Sequence, residues 1–194
     1  MNWKLISWAS KFYWPVQDRL AKSIRNFPKV SAYLVRDTRQ PGWQEATQYK
    51  PTFLYSHLAH LPEGDSLVWV DSDATIERFP EMFDLIESDI AFTNFTGNGR
   101  DEYLTGTLFL RKTERTRNFM KLWLNIQASD FEEGNMLREQ VCFKRAVQES
   151  KDLLVHFLPL SYTCIHDHPS SPKNPHIVHW QASRTLRAQT YKDQ

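Results

Sequence analysis

Leu67-Val68-Trp69-Val70 is a continuous apolar run that ends abruptly in Asp71-Ser72-Asp73. Four consecutive large apolar side chains leave no face for water. The run therefore reads as a strand buried on both sides, the kind found inside parallel sheets covered by helices. Parallel neighbours need long crossover connections, usually helical, so strands and helices should alternate along the chain.

The flanking sequence supplies that alternation. Trp3 to Ala9 reads as a first strand. Pro15 opens a helix to about Asn26, because proline suits the first helical turn. Val30 to Val35 reads as a second strand, and Thr47 to Leu61 as a helix stopped by Pro62. Ile90 to Thr93 and Thr105 to Leu110 are further strands, joined by a Gly97-Asn98-Gly99 loop. Thr113 to Gln127 and Glu133 to Glu149 are helices, and Leu153 to Leu158 and Ile177-Val178 are late strands. The expected fold is α/β: a single domain over residues 1–194, with a mostly parallel central sheet flanked by helices.

Several classes are excluded. No GxxxxGK[ST] and no GxGxxG is present, which removes a P-loop and the standard dinucleotide fingerprint. Cys142 and Cys164 are too few for a disulfide framework or a cysteine-rich zinc site; a reducing, cytoplasmic environment fits them. The N-terminal residues read as too polar for a secretory signal, and no apolar run reaches bilayer length. The net charge of +1 gives no bulk attraction to nucleic acid. Residues 1–50 nevertheless carry nine basic against three acidic side chains, and residues 63–102 carry two against eleven. Residues 103–194 carry thirteen basic against nine acidic. Brought together, such segments could hold both a cation and an anion.

Asp71 and Asp73 leave the buried strand two residues apart. Ligands of open α/β sheets bind beyond the carboxyl ends of strands. Two hard oxygen donors on one side of a turn suit Mn²⁺ or Mg²⁺, usually shared with substrate phosphates. Asp at a strand end is also ordinary turn chemistry.

Lys50-Pro51-Thr52-Phe53-Leu54 followed by LVWVDSDATI resembles the core of the GT-A nucleotide-diphospho-sugar transferases, closest to the small retaining groups of galactosyltransferase style. The resemblance runs in order from about residue 3 to residue 187. It implies a Rossmann-like GT-A domain and a metal-dependent glycosyltransferase. The implied donor is a nucleotide-sugar, a UDP-sugar by preference; the implied cofactor is Mn²⁺ or Mg²⁺. By the same resemblance Trp8, Ala9, Ser10 and Tyr13 line the base pocket, although core packing is the competing role for Trp8 and Tyr13. Trp43 and Lys50 precede the DxD strand, with Lys50 toward the donor. Asp71 and Asp73 hold the metal, with Asp71 also near the ribose. Gly106 and Thr107 line the donor sugar. Glu139 and Gln140 lie near the reacting carbon, and Glu139 stands where Asp is commoner. His179 is the third metal ligand, and Ser183 and Arg184 form a phosphate-facing tail.

A retaining outcome would use Gln140 or Glu139 to stabilise an oxocarbenium-like state. An inverting one needs a carboxylate base, for which Asp101 and Glu102 are the candidates. Glu139 could equally be a first-turn carboxylate favoured by the helix dipole. A rival reading is a metal-dependent hydrolase built on His166, His168, His176 and His179, since imidazoles ligate transition metals. A third is a non-catalytic nucleotide-sugar-binding module. The acceptor is unspecified; its side is left to the loops at 96–102 and 166–176, to a second copy in a homodimer, or to a membrane surface.

Overall fold

The structure, a computed structural model, describes residues 2–39, 41, 43–97, 99, 101–133, 138–182 and 184. In chain order its main elements are β1 (Trp3–Ser10), α1 (Trp14–Ile24), β2 (Ala32–Asp37), α2 (Trp43–Ala59), β3 (Ser66–Val70) and β4 (Ala74–Ile76). They continue with β5 (Ile90–Phe95), β6 (Glu102–Arg111), α3 (Glu114–Glu132), α4 (Glu139–Glu149), β7 (Val155–Phe157), β8 (Cys164–Ile165) and β9 (Ile177–His179). The central sheet has the order β2-β1-β3-β6-β5-β7. β1 pairs in parallel with β2 and β3, and β5 in parallel with β7. β6 is antiparallel to both its neighbours, so it alone runs against the others and the sheet is mostly parallel.

Strand alternation sorts the core into two halves. Ile6, Leu67, Trp69, Phe92 and Leu108 face one side, against Phe53 and Leu58 of α2, Phe119 and Trp123 of α3 and Phe143 of α4. Leu5, Val68, Val70 and Phe109 face the other, against Leu20 and Ile24 of α1 and against Phe83, Tyr162 and Ile177. Each residue of the LVWV run is buried, as a strand covered on both faces requires. No described helix is long and apolar enough to cross a membrane.

The second half of the core contains a feature that the sequence reading does not anticipate. A small sheet, β4-β9-β8, lies beside the main one. β4 and β8 are three and two residues long, too short to show an alternating pattern. Helix bounds also differ. α2 begins at Trp43, four residues before the expected Thr47. α4 begins at Glu139 rather than running from Glu133, because Arg138 is extended (φ −62°, ψ 139°) and a helix cannot pass through it.

Asp89 ties several elements together where β5 begins. Its side chain, 1% exposed, accepts from Thr113 Oγ1 (2.8 Å), Arg115 Nε (2.6 Å) and the Leu154 amide (2.9 Å). Thr113 is also the N-cap of α3, accepting from the Thr116 amide. Burial pushes the Asp89 pKa up, but Arg115, the Leu154 amide and Thr113 outweigh it and hold the carboxyl below its usual range.

Candidate functional site

The chain turns sharply at the carboxyl end of β3. The Asp71 amide donates to the Gly106 carbonyl (2.9 Å), and the Ala74 amide to the Asp71 carbonyl (3.0 Å). This turn starts β4, which pairs antiparallel with β9 and sets Ala74 opposite His179. The short sheet therefore delivers a histidine from the far end of the sequence to the DxD turn. One ligand atom from each of Asp71, Asp73 and His179 lies within 4.8 Å of the others. Among the described residues no other group of three or more His, Cys, Asp or Glu side chains converges so closely.

Each member is held by identifiable contacts. Thr107 Oγ1 lies 2.9 Å from His179 Nε2. A hydrogen bond from Nε2–H would leave the Nδ1 lone pair for a cation. Burial holds the His179 pKa below its usual value against the pull of Asp71 and Asp73, which favours the neutral, ligating imidazole. Gly106 lies against the same ring: a Cβ there would stand 2.9 Å from His179 Cε1 and 3.1 Å from Nδ1. The register of β5 against β6 jumps from Phe92↔Leu108 to Thr93↔Leu104. This bulge releases Thr105, Gly106 and Thr107 from pairing with β5, while Thr107 still pairs with Val70 of β3; bulges are common beside sites.

Asp73 Oδ2 accepts from the Ala182 amide (2.8 Å). The preceding Gln181 has φ 53°, a left-handed conformation uncommon outside glycine, and so turns the chain just after β9. Burial, then the neighbouring Asp71 carboxylate, raises the Asp73 pKa. Asp71 Oδ1 accepts from Trp69 Nε1 (2.8 Å) and pairs with Lys50 Nζ (3.1 Å).

Lys50, expected toward the donor, lines the cleft but is almost wholly buried. Its ammonium, 7% exposed, lies between Asp71 and Glu139 Oε1 (3.6 Å) and donates to the Thr105 carbonyl (3.1 Å). Burial drags its pKa down, but Asp71 and Glu139 overcome this and hold it above the usual value. Glu139 is equally buried, accepting from Thr105 Oγ1 (3.0 Å). Burial pushes its pKa up to about 7, with Lys50 pulling it down and Asp71 adding to the rise. It sits behind Lys50 rather than in the cleft. Gln140, its expected partner, instead donates to Glu102 Oε1 (2.9 Å) on an exposed surface.

A cleft of about 120 Å³ opens in front of Asp71 and Asp73. Its walls include Trp8, Ala9, Ser10, Tyr13, Lys50 and Trp69. The base-pocket candidates at the end of β1 thus share one cavity with the carboxylates. Trp8 also serves the core, 9% exposed and packed on Tyr49 (5.3 Å between rings).

Other sequence candidates lie elsewhere. Arg184 pairs with Asp167 (2.7 Å) on the surface. Ser183 and the Trp43 side chain lie outside the described residues. Asp101 accepts from Asn94 Nδ2 (3.1 Å) at the exposed start of β6. The histidine cluster does not assemble. His166 stacks on Trp180 (4.0 Å), His168 meets Phe95 edge-on (5.0 Å), and His176 stacks on Tyr162 (4.5 Å). Only His179 reaches the carboxylates, which removes the basis for the hydrolase reading.

Sequence reasoning missed Thr105, Trp69 and the Ala182 amide. The Trp69 signal was available: residues two apart in a strand point to the same face, so Trp69 and Asp71 were bound to be neighbours. Gly106 and Thr107, expected along the donor sugar, both contact His179. The Gly106→Ala substitution should therefore weaken Mn²⁺ binding about tenfold or more, the scale set by displaced ligand supports. The backbone there needs no positive φ, so the effect is steric. Calorimetric titration with Mn²⁺ reads it; unchanged affinity would show that the ring moves aside without consequence.

No protein-family model matches the sequence, and no curated protein matches it either. Solved structures do match. A glycosyltransferase involved in glycosylation of the major capsid of PBCV-1 aligns with a TM-score of 0.69 and 14% identity over the whole of both chains. GlyE, a glycosyltransferase of Streptococcus pneumoniae, aligns with a TM-score of 0.63 and 15% identity over 93% of this chain, which spans 54% of that protein. Mouse xyloside xylosyltransferase 1 aligns with a TM-score of 0.58 and 9% identity over 94% of this chain and 99% of its own. The chain has the α/β fold of these glycosyltransferases, GT-A-like in architecture.

Proposed function

We propose that this chain is a metal-dependent glycosyltransferase that transfers a sugar from a UDP-sugar to an acceptor with retention of configuration. The observation that carries the reading is the convergence of Asp71, Asp73 and His179 at the mouth of a cleft closed by the end of β1. Two carboxylates and an imidazole fit Mn²⁺ or Mg²⁺ by donor chemistry. The charge balance agrees in direction: Lys50 pairs with Asp71 and Glu139, and Asp73 adds a further carboxylate beside Asp71. A divalent cation would offset the remainder.

The chemistry breaks the bond between the anomeric carbon and a diphosphate, and negative charge collects on the leaving group. A divalent cation held by Asp71, Asp73 and His179 would neutralise that charge when bound. The chain's own groups bind and orient. Trp8, Ala9, Ser10 and Tyr13 would take the base and ribose in the cleft they share. Retention follows the retaining groups that the sequence resembles; in this reading Asp71 and Asp73, the carboxylates lining the described cleft, are given to the cation rather than to an acceptor hydroxyl. Lys50 and Glu139 lie beneath the site as charge support.

The test is a thermal-shift titration with UDP and Mn²⁺, separately and together, followed by measurement of UDP release from UDP-sugars. At a hundredfold excess over Kd, ligand binding adds about 2.7 kcal/mol, or roughly 5–10 °C for a chain of this size. The expected result is a shift requiring both components, then acceptor-dependent UDP release. A UDP shift that ignores the metal would sink the metal assignment. Metal-dependent binding without turnover of any UDP-sugar would favour the binding-module alternative.

A further inference from the structure

We propose that Trp69 is a positioning residue of the cation site. Its indole N–H, together with the Lys50 ammonium, holds one oxygen of Asp71 so that the other is presented to the metal. This inference rests on the metal reading above.

Three observations carry it. First, Asp71 Oδ1 is engaged twice, by Trp69 Nε1 at 2.8 Å and by Lys50 Nζ at 3.1 Å, whereas Oδ2 has no protein partner among the described residues. Asp71 is 37% exposed on its side chain, so without these contacts it would sample several rotamers. Holding Oδ1 sets the carboxylate plane before any cation arrives, which removes that ordering cost from binding.

Second, pairing of an indole N–H is not automatic here: Trp3 donates to Asp84 and Trp180 to Thr75, while other indoles go without a partner. Trp14 and Trp123 both keep a buried Nε1 with no hydrogen-bond partner. This fold therefore tolerates unpaired indole nitrogens. Trp69 instead directs its N–H at a proposed metal ligand. The Asp71 amide extends the β3 ladder by one bond to the Gly106 carbonyl, which keeps residues 69 and 71 on a common face.

Third, Trp69 also supports the other holder of Asp71. Lys50 Nζ sits 5.4 Å from the centre of the Trp69 ring, within cation–π range. The far side of the ammonium is fixed by the Thr105 carbonyl and Glu139. Asp71 is thus gripped from two directions by groups that are themselves buried and packed.

The experiment is Mn²⁺ titration with UDP present throughout and the UDP–Mn²⁺ blank subtracted, by calorimetry or by electron paramagnetic resonance of the free ion, on wild type, Trp69→Phe, Asp71→Asn and the double variant. Trp69→Phe removes the donor without changing charge. A second form, with benzothienylalanine at position 69, keeps the indole shape and replaces N–H by sulfur, so it remains informative if the cavity in Trp69→Phe impairs folding. The expected result is about a tenfold loss of Mn²⁺ affinity in either form. In the Asp71→Asn background the same change should do nothing further, because both act through one carboxylate. A merely structural tryptophan would lower thermal stability yet leave the affinity of the folded protein unchanged, or lower it equally in both backgrounds; either outcome overturns this inference alone. A wild-type protein that takes up no Mn²⁺ overturns the metal reading and this inference with it.

Discussion

Asp73→Asn is expected to give a folded protein whose kcat/KM for sugar transfer is lower by about 10³-fold, the scale seen when a principal electrostatic element of a site is lost. The amide oxygen of Asn can still accept from the Ala182 amide, so the turn after β9 survives. What disappears is a charged ligand of the proposed cation. Stability should move the other way. Burial and the adjacent Asp71 raise the Asp73 pKa in the folded protein. A carboxyl raised in this way favours folding below its unfolded pKa, and that contribution is lost as pH rises through the folded value. At neutral pH the metal-free wild type therefore carries a strained carboxylate that Asn removes. The metal-free melting temperature of Asp73→Asn should equal or exceed that of wild type, while the rise on adding Mn²⁺ with UDP should vanish. Asp71→Asn should lose activity similarly, because Lys50 is left with Glu139 alone as its counter-charge. Full activity in either variant would remove the pair from the site.

Asp89→Ala carries the largest expected stability loss. Asp89 is buried but Arg115 is half exposed, so water can take over the guanidinium. The cost falls on the buried side, where the Thr113 hydroxyl and the Leu154 amide lose their acceptor, at about 1–3 kcal/mol each. For a chain of this size that is a fall of roughly 10 °C in Tm. The pH dependence identifies the cause. The folded pKa of Asp89 is depressed, so its contribution is present above the unfolded value near 4 and is lost as pH falls through the folded one. The gap in Tm between wild type and Asp89→Asn should be widest near pH 7 and shrink toward pH 3. A constant gap would place the effect in packing rather than charge.

The parts of the site that were legible before the structure share a local signature. Asp71 and Asp73 stand out because a continuous apolar run ends on them, and strand ends are where α/β sheets bind ligands. The base-pocket candidates came from the family resemblance alone, and the parallel pairing of β1 with β3 is what sets them beside the carboxylates. Lys50, Glu139 and Arg184 were legible only as charges. Whether a charge is solvated, buried or paired depends on what packs over it, and those partners are distant in sequence. Lys50 is buried because Thr105 of β6 and Glu139 of α4 close over it. Arg184 is at the surface because Asp167 meets it there.

The order of the helices and of the main-sheet strands was determined by the sequence alone, because hydrophobic periodicity and proline or glycine punctuation act over a few residues. So was the place of the carboxylate pair at the end of a buried strand. The family resemblance had named His179 as the partner of that pair, but the pattern of the residues themselves left the histidines equivalent, and only the tertiary structure shows His179 beside the carboxylates. Four histidines between His166 and His179 offered themselves, and the antiparallel pairing of β4 with β9 selected His179. Strands of three residues carry too little pattern to announce their partners; only the closed sheet, with its hydrogen bonds made across a hundred residues of chain, singles out one register.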